Sequence, residues 1–293
     1  MPPTIGFIGF GEVGSAMAKG FAAQGLVLRA YDIKVHESEG PDLLRKRATD
    51  SSTTICESPE EMIPPCDVVF SAVVTSNTLQ AGTAAAPHMR HGQLFVDLNS
   101  AAPAVKRNVQ QAVEKRGARY VDAGVMAAVP VTQHRVHMLL AGEAAVDLSE
   151  LMAPYGMNLE VLSRTVGDAA ATKMFQSILI KGTEALLLEC LMAASRHGVE
   201  RHVLESMSRT TPGLDWVARA NYMLSRTARH GARRAAEMDE VVHTLTDMGI
   251  EPMVARGVAQ RLHWAAERTH PKRDVEAMPG FREVIAVIRA DEE

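Results

Sequence analysis

The hydrophobic rhythm of the chain changes a little past its midpoint. In the first part, short apolar runs alternate with segments whose apolar residues recur every three or four positions, the marks of strands and helices respectively. "TIGFIGF" at 4–10 reads as a strand. "GEVGSAMAKGFAAQG" then places Val13, Ala16, Met17 and Phe21 at helical spacing before Gly25 ends the helix. "LVLRAYD" is a second strand, and Ser58 ahead of Pro59 in "SPEEM" has the chemistry of an N-cap followed by proline at the first helical position. "DVVFSAVV" and "QLFVDLN" are apolar throughout, the pattern of strands buried on both faces, and residues 75–87 between them can hold a helix. Another helix opens at Pro103 and runs to Gly117; "ARYVDAGV", "RVHMLLAG" and "MNLEVLS" complete the strands.

Strands alternating with helices imply a parallel, doubly wound sheet. From about Gly167 the pattern is helical only, rich in Ala, Leu, Met and Arg, with breaks at "TTPGLD" and "GIEP". The expected fold class is therefore α/β, a Rossmann-like dinucleotide-binding domain at 1–165 followed by an all-α domain at 166–293.

A length of 293 residues suits two domains, and 46% hydrophobic with 23% charged residues is a globular composition. The net charge of −4 argues against nucleic acid or an anionic membrane as a bulk partner. No apolar run approaches the ~18 residues of a membrane span, and "MPPTIGFIGF" has neither the basic flank nor the apolar core of a secretion signal. Cys56, Cys66 and Cys190 form no metal-ligand pattern, and among the scattered histidines His197 and His202 stand five apart rather than at a helical four. Reduced thiols, no metal centre and a cytoplasmic location are the expectation.

Candidate chemistry begins at Gly9-x-Gly11-x-x-Gly14, between the first strand and the first helix. The motif alone is weak; at this junction it is the dinucleotide fingerprint. Gly9 permits the tight turn, Gly11 admits the pyrophosphate to the backbone, and Gly14 lets helix and strand pack closely. The helix N-terminus adds free N–H groups and a positive dipole end. Asp32 closes the second strand eighteen residues after Gly14, placed to accept from the adenine-ribose hydroxyls. A carboxylate there repels a 2′-phosphate, which favours NAD, while Lys34 and Arg29 nearby keep NADP open.

The segment "DAAATKMFQSILIKGTEALLLE", 168–189, carries Lys173, Ser177 and Lys181 four residues apart, a stripe drifting about 40° per step on a helix. Such a stripe is ordinarily a solvated face with snorkelling lysines. It can also turn two amines and a hydroxyl towards one cleft, and lysine, unlike arginine, can lose its proton and so act as acid and base. A second charged stretch, "ARHGARRAAEMDEV", holds Arg229, His230, Arg233, Arg234, Glu237 and Asp239 and reads first as a helix face laced with i,i+4 pairs. Trp216 and Trp264 read as helix-packing residues.

With the fingerprint upstream and this lysine-bearing helix at the junction, the chain resembles the β-hydroxyacid dehydrogenase family, which includes 3-hydroxyisobutyrate and 6-phosphogluconate dehydrogenases. "GFIGFGEVGSAMAKGFAAQG" is similar to the family's cofactor loop and first helix. "FVDLNSAAP" resembles its D-x-[ST]-[ST]-x-x-P segment, with Asp97, Asn99, Ser100 and Pro103 in register. "VDAGVMAAVP" occupies the place of its substrate loop, and "VGDAAATKMFQS" resembles the G-x-G-x-x-x-K-x-x-x-N helix that bears the catalytic lysine. "KGTEALLLECLMAA" and the stretch 225–252 resemble a smaller 6-phosphogluconate-dehydrogenase-like branch. Two departures stand out. The family's D-x-P-V-S-G-G loop is here Asp122-Ala123-Gly124-Val125-Met126-Ala127-Ala128, without the hydroxyl and more apolar, and the family's asparagine four residues after the lysine is Ser177.

The resemblance implies a cofactor site of Gly9, Phe10, Gly11, Glu12, Val13, Gly14, Asp32, Val73, Val74 and Asn99. It implies Lys173 as the catalytic acid–base, with Asn99, Ser100, Met126, Ala127 and Ser177 around the substrate. His230 and Arg234 join this set because the family's charged stretch at that distance reaches towards the cleft. Lys181 is open between a substrate contact and a structural pair with Glu184 or Glu189. The implied reaction is hydride transfer between NAD, or NADP, and a β-hydroxyacid-type alcohol or its carbonyl, with neutral Lys173 taking the hydroxyl proton on oxidation. An imine reductase shares the architecture, though such enzymes have another residue where Lys173 stands; a non-catalytic NAD-binding scaffold is the alternative from another class. An apolar all-helical domain further implies a homodimer.

Overall fold

In the computed structural model, which describes residues 2–37, 40–269 and 280–290, the apolar runs of the first part become a single sheet. The chain divides into two units, Met1–Met174 and Phe175–Glu293. In the first the elements follow as β1 (Thr4–Ile8), α1 (Glu12–Ala22), β2 (Val27–Tyr31), α2 (Gly40–Asp50), β3 (Thr54–Ile55), α3 (Pro59–Met62), β4 (Val68–Ser71), α4 (Thr78–Ala85), β5 (Leu94–Asp97), α5 (Pro103–Glu114), β6 (Arg119–Val125), α6 (Val129–Thr132), β7 (His137–Ala141), α7 (Ala145–Met152) and β8 (Asn158–Ser163). The strand order is β3-β2-β1-β4-β5-β6-β7-β8.

Pairing is parallel from β3 through β6, as the alternation of strands and helices implies. β7 departs from that expectation: it runs antiparallel to β6, with Asp122 opposite Ala141, and β8 then pairs parallel with β7. The β6–β7 connection holds α6, a single helical turn, and is too short for the helical crossover that a parallel neighbour requires. α2 and β3 lie in a polar stretch with little periodicity; on α2 only Gly40, Leu44 and Ala48 are buried. Ser58 caps α3 as its chemistry suggests, its Oγ accepting from Glu61 N at 3.2 Å.

Apolar layers cover both faces of the sheet. On one face Phe7, Phe21 and Phe70 stack, with centroid distances of 5.7 Å for Phe7–Phe70 and 5.8 Å for Phe21–Phe70. On the other, Cys66, Val69, Phe95, Val109 and Tyr120 are buried together. β4 and β5 are buried at every position, which is why they read as continuous apolar runs rather than alternating ones.

His134 is a polar residue inside the first layer. It is buried, its ring centroid lies 5.0 Å from that of Phe21, and its Nε2 lies 3.0 Å from the Tyr155 carbonyl, an arrangement that makes Nε2 the donor. Nδ1 has no partner and abuts Gly20, where a Cβ would come within 2.0 Å of it. Burial pulls its pKa below the ordinary 6.5, opposed by the Tyr155 carbonyl and helped by Arg135. Because the neutral ring is favoured in the fold, its contribution is fully present above the unfolded-state value and is lost as pH falls through about 6.5 towards the depressed folded value. Melting temperature followed from pH 7 to 5 is therefore expected to drop more steeply in the wild-type protein than in His134→Gln, which keeps an N–H for Tyr155 and does not titrate; parallel curves would contradict this.

The second unit is helical. α8 (Asp168–Ser195) enters it from the first unit and is followed by α9 (Glu200–Thr210), α10 (Trp216–Asp247), α11 (Met253–Thr269) and α12 (Phe281–Ala290). Leu188, Leu191, Leu224, Val284 and Ile288 are among its core residues. α10 bends at His230, the one residue inside it with non-helical torsions (φ −133°, ψ 17°). The next residue, Gly231, packs against α11 so closely that a Cβ would lie 2.9 Å from that of Ala266. Among the described residues no helix is long and apolar enough to cross a membrane.

Candidate active site

β1 and β4 are neighbours although five elements, two of them strands, separate them in sequence, so the strand order reverses between them and opens a crevice at their C-terminal ends. The glycine loop occupies this edge. Gly9 has φ +86°, and a Cβ there would lie 2.5 Å from the Ala72 carbonyl oxygen; one on Gly14 would lie 2.4 Å from the Gly9 oxygen. At Gly11, by contrast, a Cβ would meet nothing within 4 Å, so the approach to the backbone is open there. Gly11 is also the N-cap of α1, and no side chain caps it. The first-turn N–H groups are thus left for a ligand, and the cradle fits a pyrophosphate.

The loop is tied to Asp32. Asp32 Oδ2 accepts from Phe10 N at 2.7 Å and Oδ1 accepts from Lys34 N at 3.0 Å. Arg47 reaches from α2 to donate to the Phe10 carbonyl at 3.0 Å. Each carboxylate oxygen keeps acceptor capacity for a ribose hydroxyl. Phe10 is buried, Val13 half-buried and Glu12 exposed. Val73 and Val74 follow β4 at the same edge, Val74 being exposed.

One strand further, the turn after β5 carries Asn99 and Ser100. The Asn99 side chain is spent within the protein: Oδ1 accepts from Val73 N at 2.7 Å, and Nδ2 donates to Ser71 Oγ at 3.0 Å and to Asp97 Oδ1 at 2.8 Å. It brackets the ends of β4 and β5. Ser100 Oγ accepts from Lys173 Nζ at 2.7 Å, and both residues are half-buried. Lys173, in the second turn of α8 (Asp168–Ser195), is thus brought to a serine far away in sequence, on the sheet edge that carries the glycine loop.

Beneath this pair lies a buried ionic cluster to which the sequence reading gave no role. Lys106, fully buried on α5, reaches Asp97 Oδ1 at 2.9 Å, Asp122 Oδ1 at 3.3 Å and the Asp97 carbonyl at 2.8 Å. Tyr120 donates to Asp97 Oδ2 at 2.8 Å, and burial with the two nearby carboxylates pushes its phenol well above the usual range, so it remains a donor. Asp122 Oδ2 accepts from the N–H groups of Gly167 and Ala170, at 3.1 and 3.0 Å. The available signal was that Asp97 and Asp122 each stand at or near the end of an apolar run, where a buried carboxylate needs a partner; nothing local pointed to Lys106 as that partner.

Much of the segment matched to the substrate loop is strand: Asp122–Val125 belong to β6, and only Met126–Ala128 form a loop. Met126 is half-buried against Leu139, Ala141 and Ala169, its N–H donating to the His137 carbonyl at 2.9 Å, whereas Ala127 is exposed.

In the helical unit Ser177 is half-buried and His230 exposed. Lys181 is buried and pairs with Glu237 Oε2 at 2.8 Å, on α10, rather than with Glu184 or Glu189. Those two are taken by arginines: the Arg234 guanidinium grips both oxygens of Glu184, which also accepts from Thr227 Oγ1, and Arg261 pairs with Glu189 at 2.5 Å. An arginine fork matches a carboxylate better than an ammonium does. Burial pulls the Lys181 pKa below its usual range, with Glu237 opposing the shift. Arg233 and Glu237 form the kind of i,i+4 pair expected on the charged face, at 2.9 Å.

The model described as the NAD binding domain of 6-phosphogluconate dehydrogenase matches residues 4–160, and a domain of unknown function, DUF1932, matches 194–265. The crystal structure of a conserved hypothetical protein from Sinorhizobium meliloti 1021 is 36% identical, with a TM-score of 0.79, covering 99% of this chain and 97% of that one. A second solved structure, of a conserved protein of unknown function described as similar in structure to 3-hydroxyacid dehydrogenases, is 31% identical, with a TM-score of 0.72 over 89% of this chain and 95% of that one. Mitochondrial 3-hydroxyisobutyrate dehydrogenase of Homo sapiens is 26% identical over 219 residues, spanning 72% of this chain and 63% of the enzyme's own length. The chain belongs to the NAD(P)-binding β-hydroxyacid dehydrogenase family, in which it joins the cofactor domain to a DUF1932 domain.

Proposed function

We propose that this protein is an NAD(P)-dependent dehydrogenase or reductase acting on the CH–OH group of a β-hydroxyacid-type alcohol, or on its carbonyl. In this reading residues 1–165 form the cofactor domain and 166–293 the substrate and dimerisation domain. The observation that carries it is the 2.7 Å hydrogen bond from Lys173 Nζ to Ser100 Oγ, which supports proton transfer at the edge of the sheet that also bears the glycine loop. A bound nicotinamide supplies the hydride acceptor or donor. On oxidation, neutral Lys173 takes the proton of the substrate hydroxyl; on reduction its ammonium returns it. Ser100 orients the hydroxyl, and Asn99 holds the turn that presents Ser100. Asp32, steadied by two backbone N–H groups, receives the ribose hydroxyls and favours NAD over NADP.

Met126 and Ala127 offer the substrate an apolar wall in place of the hydroxyl and paired glycines of the usual loop, which supports a substrate bulkier and less polar than hydroxyisobutyrate. The engagement of Lys181 by Glu237 and of Arg234 by Glu184 supports a structural role for both, which leaves Ser177 and His230 as the proposed substrate contacts of the helical unit. The test is a spectrophotometric NAD(P)H screen over 3-hydroxyacids, their semialdehydes and cyclic imines. Turnover of a bulky 3-hydroxyacid with NAD, faster than that of 3-hydroxyisobutyrate, is expected. Turnover confined to cyclic imines would favour an imine reductase, and NADH binding without any turnover a non-catalytic scaffold.

A second copy of the chain is the proposed occupant of the groove between α8 and α11, about 510 Å³ in volume and lined by Gly182, Leu186, Val254, Gly257, Val258 and Trp264 among others. Leu186 and Val254, which line it, and Leu179 and Met253 on the same two helices are 69–75% exposed, large apolar side chains of the kind that mark an interface. Gly182 and Gly257 leave room for a partner helix to approach closely. Sedimentation is expected to give a dimer for the wild-type protein and a monomer for Leu186→Arg; a monomeric wild-type protein would contradict the assignment.

A further inference from the structure

We infer that Asp122 is a positioning residue for Lys173, acting as the N-cap of α8 from a neighbouring strand while Lys106 supplies its counter-charge; this rests on reading Lys173 as the proton-transfer group. α8 begins at Asp168, so Gly167 stands at its N-cap, where Ser, Thr, Asp or Asn would ordinarily accept the third N–H of the helix. Gly167 has no side chain to do so. Nor is there room for one: its φ is +107°, and a Cβ would lie 3.0 Å from Pro103 Cβ and from Arg107. Asp122 Oδ2 takes the place of the missing cap, accepting from Gly167 N and from Ala170 N, the third helical residue. Lys173 follows Ala170 by three residues, on the same side of the helix. A carboxylate at this end of a 28-residue helix is also favoured by the helix dipole.

The same cluster fixes the other end of the Lys173–Ser100 bond. Lys106 binds Asp97 as well as Asp122, and Asp97 Oδ1 accepts from Asn99 N at 3.0 Å, immediately before Ser100. One ammonium therefore ties the start of the lysine helix to the turn of the serine. β6 adds a steric constraint, since a Cβ on Gly124 would lie 2.9 Å from the Ala169 carbonyl oxygen and force the first turn of α8 outward.

Three measurements test this on the full chain. In Asp122→Ala, amide exchange at 169–173 is expected to quicken roughly 2- to 30-fold, the range for a lost cap. The pH profile of Lys173 reductive methylation, read by mass spectrometry, is expected to shift. With the best substrate of the screen, kcat is expected to fall roughly 10–100-fold through misplacement of the amine, while KM and the NADH dissociation constant stay near wild type. Asp122→Asn, which keeps an oxygen to cap the helix, is expected to recover part of each loss. If Asp122→Ala does not fold, Gly124→Ala displaces the same helix turn and is expected to lower kcat with NADH binding unchanged. Faster exchange with wild-type kcat and an unchanged methylation profile would overturn the inference, as would wild-type behaviour of all the variants. The exchange and methylation arms need no turnover, so they judge the positioning of Lys173 even if Lys173→Ala shows that the lysine has no part in catalysis.

Discussion

Lys173→Ala is expected to lower kcat by roughly 10²–10⁴-fold, the usual contribution of a positioned acid–base group, and to leave NADH affinity unchanged. The separation follows from where the groups sit. The glycine loop and Asp32 are held by Phe10, Lys34 and Arg47, none of which depends on the lysine. The lysine reaches instead to Ser100, in the turn after β5. Lys173→Arg is expected to fare no better: it keeps the charge but cannot lose its proton at working pH, and its planar fork does not replace a compact ammonium. Turnover beside an NADH fluorescence titration checks both halves. Activity near wild type in either variant would remove the lysine from the mechanism, and lost NADH binding would mean that it had been serving the fold or the cofactor.

Lys106→Met is expected to be the most destabilising single change in the first unit, by roughly 3–5 kcal/mol, because it leaves two buried carboxylates without their cation. For a unit of this size that corresponds to a fall in melting temperature of roughly 6–20 °C. Methionine fills much of the volume of lysine, so the loss would be chiefly electrostatic rather than a cavity effect. The remaining donors, Tyr120, the Asn99 amide and the N–H groups of Gly167 and Ala170, already have their acceptors and cannot replace an ammonium. A calorimetric melt close to that of the wild-type protein would show that the cluster does not bear on stability, and would weaken the case that it holds α8 in place.

What the sequence made legible was local. The Gly9–Gly14 turn, the buried runs of β4 and β5, the Ser58 cap and the change to a purely helical pattern are each written in neighbouring residues, where φ requirements, burial and capping act. The antiparallel turn into β7 was not, because direction depends on how far a connection can reach rather than on the strand's own pattern. The pairing of Lys106 with Asp97 and Asp122 was hidden for a related reason: on α5 it is one lysine in an amphipathic helix, and only the assembled sheet brings the two carboxylates to it. Lys181 was open in the sequence between a substrate contact and a pair on its own helix, with Glu184 or Glu189; arginines from α10 and α11 take those carboxylates, and Glu237 of α10 takes the lysine. At the candidate site the motif match named Asn99 and Ser100 together. The structure distinguishes their surroundings, with the Asn99 amide consumed by Val73, Ser71 and Asp97 and the Ser100 hydroxyl facing Lys173.

The central claim, lysine-assisted hydride transfer from a carbinol carbon, is tested most directly by the fate of a label. With the best 3-hydroxyacid of the screen deuterated at its carbinol carbon, the wild-type protein is expected to deliver one deuterium to C4 of the nicotinamide per turnover, and Lys173→Ala, with NAD bound, to deliver almost none in the same time. Product formed with no deuterium in the nicotinamide, or label transferred equally well by both proteins, would contradict the account.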